Sequence, residues 1–273
     1  MKEEIKETRL DNGLVVLSDR MPDVRSATLG FFYPVGSRNE PDELNGITHF
    51  IEHCVFKGSA KRSALDIAIE QDRLGGGLDA FTPHEETGFV IKVVDDQFER
   101  AFNLMADMLT APRFDESDLI NERRVIIEEI KMNEDSPDEV LSDIFHREFF
   151  RGHQLGMSIA GTPDTVSTFS AERTADYHRH TFNPSNLIVA AAGNIEHDRL
   201  MELLDGIVKD SPSHPDVPRL ELSVPVPEAP IVVERRSDLE QAHVLIATPI
   251  VAAPDPRRYA ADLLANALGG GTS

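Results

Sequence analysis

A single cysteine, Cys54, with no second anywhere in 273 residues, excludes an intrachain disulfide. The same scarcity argues against a structural zinc cage, because such sites are closed four-ligand sets rich in cysteine. No apolar run reaches the roughly 18 to 20 residues that cross a bilayer, so no membrane span is expected. Basic residues are outnumbered, 27 Lys+Arg against 48 Asp+Glu, giving a net charge of −21. A chain of that sign lacks the basic footprint of a nucleic-acid binder. The surplus serves solubility first, with long-range attraction of basic peptides as a secondary effect. The opening Met1-Lys2-Glu3-Glu4-Ile5-Lys6 has no apolar h-region and is too acidic for a transit peptide. A cytoplasmic protein of bacterial type is the expectation. A hydrophobic share of 40% is that of a globular chain, and the length suffices for a sizeable core and more than one domain.

Against these absences stands one dense motif, Thr48-His49-Phe50-Ile51-Glu52-His53. Histidines four apart lie on one helix face, about one turn of 5–6 Å apart, where two imidazoles reach one Zn²⁺ from a rigid support. Glu52, three residues after His49, projects near the same face and is placed to take a proton from a metal-activated water. The order His-x-x-Glu-His inverts the commoner His-Glu-x-x-His of zinc peptidases. Phe50, Ile51, Val55 and Phe56 make the helix apolar, and unpartnered polar groups on a buried helix cost about 1–3 kcal/mol each. A metal satisfies them. Cys54 points about 100° round the helix and reads as a core thiol.

Such a site needs a third protein ligand and one open position. The run Glu122-Arg123-Arg124-Val125-Ile126-Ile127-Glu128-Glu129-Ile130 offers three carboxylates on a helix that Asp115 or Ser117 caps. Glu122 and Glu129, seven apart, share a face, and Glu128 points about 100° away. By spacing alone the favoured reading of these carboxylates is a solvated face salt-bridged to Arg123 and Arg124.

The sequence resembles the pitrilysin, insulinase and mitochondrial processing peptidase family of inverted-motif zinc peptidases, nearest its bacterial, processing-peptidase-like branch. In that family the third ligand is a Glu about 75 residues after the second His, with another Glu seven positions before it. Here 75 residues, 54 to 128, separate His53 from Glu129, and Glu122 stands seven before Glu129. Further likenesses run along the chain: the hairpin Leu10-Asp11-Asn12-Gly13-Leu14, the lead-in Gly36-Ser37-Arg38-Asn39-Glu40 and Asn45-Gly46-Ile47-Thr48, the segment Gly76-Gly77-Leu78-Asp79-Ala80-Phe81-Thr82 with Glu85 and Thr87, then Gly152-His153-Gln154-Leu155-Gly156 and Ile159-Ala160-Gly161-Thr162. The resemblance implies one Zn²⁺ per chain held by His49, His53 and Glu129, with Glu52 as general base and Glu122 orienting a ligand histidine. It implies an endopeptidase acting on peptides or unfolded segments, which pair by strand addition with Leu78, Asp79, Ala80, Phe81 and Thr82. Asp79 departs from the family's usual Asn, and an ionised carboxylate accepts hydrogen bonds but donates none. The family's subunit has two related halves, so the chain is expected to stop within the second, at Leu268-Gly269-Gly270-Gly271-Thr272-Ser273. Pairing into a homodimer or with a partner subunit is a family expectation. The alternative is a non-catalytic, peptide-binding member of the same fold, or a fragment inactive without its C-terminal half.

Strands are expected at Val15–Leu17, Ala27–Tyr33, Leu78–Thr82, Thr87–Val94 and Leu187–Ala192, with helices at Asn45–Lys57, Ser63–Leu74, Phe98–Leu109, Leu119–Met132, Val140–Phe150 and Asp198–Val208. That mixture predicts an α+β fold, a two-layer arrangement with helices on one face of a sheet. Residues 1–211 form the zinc-binding domain. The proline-rich stretch 212–230 reads as a linker. Residues 231–273 begin a second, related domain without metal ligands, with a strand at Ala242–Pro249 and a helix at Arg257–Leu268. His84 reads as a solvated loop histidine, with an approach to the cleft as the alternative. His178 and His180 read as surface, and the resemblance to the family's Gly-His-x-Leu-Gly turn implies a structural role for His153.

Overall fold

The computed structural model describes residues 4–208, 224–228, 230–236 and 239–269. The strands are β1 (Ile5–Arg9), β2 (Val15–Arg20), β3 (Ser26–Tyr33), β4 (Leu78–Phe81), β5 (Thr87–Val94) and β6 (Ile188–Gly193). The helices are α1 (Ile47–Cys54), α2 (Ala64–Leu74), α3 (Phe98–Thr110), α4 (Glu116–Asp135), α5 (Pro137–Phe149), α6 (Pro163–Val166), α7 (Ala171–Thr181), α8 (His197–Val208) and α9 (Arg258–Gly269). The strands form one sheet in the order β1-β2-β6-β3-β5-β4, antiparallel except where β6 returns parallel to β2. β4 is therefore an edge, bonded to β5 on one side.

Period-two patterning decides which face is covered. In β3, Ala27, Leu29, Phe31 and Tyr33 are almost fully buried. Phe31 packs on Phe102 of α3, and Tyr33 on Phe182 at the end of α7. Burying such a ring stabilises by about 1.5–3 kcal/mol. The alternate residues line the opposite face, where Leu17, Gly30, Phe32, Val90 and Ala190 form a shallow apolar groove. The expected α+β layering is thus observed, with α1, α3, α7 and α8 contributing to a single core. No helix among the described residues is long and apolar enough to cross a membrane.

The boundaries differ from expectation in instructive ways. The helix expected over Asn45–Lys57 is α-helical only for Ile47–Cys54, then tightens into a 3-10 turn at Val55–Lys57. Ser63 caps α2 through its side chain, and Gly75, left-handed at φ 65°, ends it. Ala242–Pro249 is not a strand. Its apolar side chains Val244 and Ile246 are exposed, at 76% and 92%, and a β-branched run without a neighbouring strand has no ladder to join. Arg257–Leu268 is helical as expected, shifted by one residue. Most of the proline-rich stretch, 212–223 and 229, lies outside the described residues, as do Gly270 to Ser273. The described parts 224–228 and 230 have no regular structure.

Candidate metal centre

α1 divides its residues cleanly. Ile47, Phe50, Ile51 and Cys54, spaced i, i+3, i+4 and i+7, are buried. His49, Glu52 and His53 share the opposite side. What fixes the helix is Glu40, itself 2% exposed. Its carboxylate accepts from the backbone N–H of Gly46 (2.7 Å) and Thr48 (2.8 Å) and from Asn45 Nδ2 (3.2 Å). These are donors at the N-terminus of a helix, which favour a negative charge. Burial works against that charge and pushes the Glu40 carboxyl up to about 7. Gly46 precedes the helix at φ 94°, and a Cβ there would meet Ala160 O at 2.6 Å. Asn45 Nδ2 also donates to Ser158 O at 2.8 Å. Two segments more than a hundred residues apart thus meet at the start of α1.

α4 supplies the facing carboxylates. Glu122 falls in its buried stripe with Leu119, Ile126 and Ile130, and Glu129 stands two turns later on the same side. His49 Nε2 lies 3.8 Å from Glu129 Oε1, and His53 Nε2 lies 3.7 Å from Glu129 Oε2. One ligand atom from each of the three residues lies within 4.8 Å of the other two. These gaps exceed a hydrogen bond, so the groups converge without bonding one another. The imidazole rings are 4.6 Å apart and meet edge-on. Two imidazoles and one carboxylate are a donor set that zinc takes in open sites.

Protonation suits that use. Burial, reinforced by the neighbouring His53, holds His49 down at about 4, so it is neutral and able to donate a lone pair near neutral pH. Its Nδ1 is buried without a hydrogen-bond partner among the described residues. His53 is tied differently: Nδ1 bonds Glu122 Oε1 at 2.9 Å, which leaves Nε2 towards Glu129. Burial lowers His53, but the hydrogen bond to Glu122 together with the charges of Glu122, Glu129 and Glu52 outweighs it, and the net shift is upward. Glu122 moves the opposite way: burial raises it, while His53 and Lys57 Nζ, 2.7 Å from Oε2, bring it below the usual range. Glu128 turns outward and pairs with Lys131 at 2.7 Å.

Glu52 is half-buried, and that burial raises its carboxyl. Thr82 Oγ1 donates to Glu52 Oε2 at 2.5 Å. The β4–β5 register puts Leu78 and Ala80 opposite Ile91 and Phe89, on the helix side. Asp79 and Phe81 alternate with them and face away, Phe81 lying across Gly88 and against Phe32.

A cleft of about 570 Å³ opens beside His49 and Glu129, walled by His84, Glu139, Asp143 and His146. His84 is therefore a cleft residue. Its Nδ1 bonds Ser37 Oγ at 2.8 Å, its ring is 5.0 Å from that of His146, and burial together with His146 lowers it to about 4. Burial raises Asp143. His178, expected on the surface, is buried: Nε2 bonds Leu109 O at 3.0 Å and the ring stacks on Phe182. The overlooked signal is its place in the stripe Thr174, Tyr177, His178. His153 is structural as expected, its Nδ1 accepting from Leu155 N–H at 3.0 Å. His180 is exposed.

A family profile described as "Insulinase (Peptidase family M16)" matches residues 15–163, and a second, "Peptidase M16 inactive domain", matches 168–273. An uncharacterized zinc protease of Streptomyces coelicolor is 39% identical over 98% of this chain and 60% of its own length. The uncharacterized zinc protease YmxG of Bacillus subtilis is 34% identical over 98% of this chain and 65% of its own. The chain thus spans about 60–65% of the length of these curated relatives. Among solved structures, a protease from Helicobacter pylori superposes with a TM-score of 0.74 at 24% identity, over 83% of this chain and 54% of that one. The periplasmic protease PqqL from Escherichia coli gives 0.73 at 20% identity, over 84% and 26%. At these identities the structures speak for the fold alone.

Proposed function

We propose, on the premise that the chain belongs to the insulinase family of peptidases, M16, that it is a zinc-dependent endopeptidase. His49, His53 and Glu129 would hold the ion. The observation that carries this reading is the convergence of those three side chains around one point, with Glu52 beside them on the same face of α1. A bound zinc ion supplies Lewis acidity, which polarises a carbonyl and makes water deprotonatable near neutral pH.

The chain's own groups do the rest. Glu52 takes the proton of the attacking water and delivers it to the leaving amine. Burial raises the Glu52 carboxyl, which makes the carboxylate a stronger base towards that water. Glu122 acts through His53, fixing its tautomer and the direction of Nε2. Lys57 offsets the buried charge of Glu122. The substrate is an extended peptide or unfolded segment that joins β4 along its free edge, at Leu78, Asp79, Ala80, Phe81 and Thr82. Because Asp79 and Phe81 face away from α1, β4 offers this peptide chiefly its backbone.

The test is metal content together with cleavage of a quenched, unstructured peptide, comparing wild type with Glu52→Gln. One zinc per chain in both proteins, with turnover lost only in the variant, is the expected result. Wild-type turnover in Glu52→Gln removes the base, and zinc-free protein under metal-replete conditions removes the centre.

A further inference from the structure

Thr82 follows directly on the edge strand and would, by position, help grip a peptide. Its hydroxyl is instead committed inside the protein. Thr82 is 9% exposed, and Oγ1 donates to Glu52 Oε2 at 2.5 Å. The alternation of β4 explains the direction: Leu78, Ala80 and Thr82 share the helix side of the strand, and α1 passes there.

We propose that Thr82 is the positioning residue of the general base, pinning one oxygen of Glu52 so that the other, Oε1, is presented for proton transfer. This rests on the reading of Glu52 as base. A glutamate has three rotatable side-chain bonds, and Glu52 is only half-buried. One fixed hydrogen bond from a neighbouring strand removes most of that freedom. Threonine is suited to the task. Its β-branch restricts χ1, which keeps the hydroxyl aimed, and its donor is neutral, so the carboxylate is held without the strong loss of basicity that a cation would impose. The arrangement also joins the base to the strand along which the peptide is read, so α1 and β4 are registered by a bond at the reacting group itself.

The experiment uses Thr82→Val, which keeps shape and strand preference but deletes the donor, and Thr82→Ser, which keeps the donor. Both are measured alone and in the Glu52→Gln background, with zinc content and thermal midpoint alongside kcat and KM. Thr82→Val is expected to lower kcat by about 10- to 100-fold with KM little changed and zinc retained. Thr82→Ser should recover most of the loss, and Thr82→Val should have no further effect once Glu52 is Gln. A turnover-independent readout is the ¹³C carboxyl resonance of Glu52, assigned by its disappearance in Glu52→Gln. It should move in Thr82→Val and return in Thr82→Ser. An unmoved resonance, or wild-type kcat in Thr82→Val while Glu52→Gln is inactive, overturns the proposal and leaves the base intact. Equal losses in Thr82→Val and Thr82→Ser with a lowered midpoint overturn it in favour of a packing role. Full turnover in Glu52→Gln overturns the reading of the base, and the proposal with it.

Discussion

Glu122 and Glu129 show what a single carboxylate's surroundings decide. Both lie on one side of α4, yet Glu129 is half-exposed and faces both imidazoles, while Glu122 is 3% exposed and grips His53 from behind. Replacing Glu122 should therefore act on metal affinity more than on chemistry. Glu122→Leu is expected to weaken zinc binding by about 10- to 100-fold, measured by chelator competition. Glu122→Gln should cost less, because an amide oxygen still accepts from Nδ1. Wild-type affinity in the leucine variant would sever Glu122 from the site. Spacing in the sequence narrowed three carboxylates to a pair on one face, but it could not separate a ligand from a salt-bridged surface. The difference is made by α1, which lies elsewhere in the chain. Thr82 was legible in principle, through its alternation with Leu78 and Ala80, but a hydroxyl on a strand's inner face carries no mark of its acceptor.

At the scale of elements, the start of α1 is held by Glu40, which replaces a local cap with a carboxylate six residues ahead of Gly46. Glu40→Ala leaves backbone donors of Gly46 and Thr48 without their acceptor. It is expected to destabilise by about 2–3 kcal/mol, read as a lowered urea midpoint at unchanged slope. Little or no change would mean that water serves those donors equally well. Elements whose partners are close in sequence, such as α2 between Ser63 and Gly75, were legible almost to the residue. The segment Ala242–Pro249 was not: its composition is that of a strand, but strand formation depends on a neighbour that composition does not report. His178 failed for a related reason, since a polar residue on a buried stripe is recognised only when the helix's inner face is known.

For the molecule as a whole, the buried ionisable groups predict how stability follows pH. His178 is held at about 4 by burial, below the ordinary 6.5. A depressed folded-state value means that its contribution is fully present above 6.5 and is lost as pH falls towards 4, by about 3 kcal/mol in all. Glu40 runs the other way: raised to about 7 from 4.5, it contributes fully below 4.5 and loses that contribution as pH rises through 7. Between 4.5 and 6.5 the two slopes oppose each other. The stability advantage of wild type over His178→Gln should accordingly shrink as pH is lowered from 7 to 4. A gap that stays constant across that range would show that His178 does not titrate differently in the two states.

The sheet ends at β4, and an edge strand has a direction and a beat. A chain laid against it can run parallel or antiparallel, and in either sense only every second residue turns its N–H and C=O towards the protein. Backbone N-methylation, walked along a cleavable peptide one position at a time, should therefore abolish and spare cleavage in alternation. The phase of that alternation would fix which bond is carried to Glu52, independently of any side-chain preference.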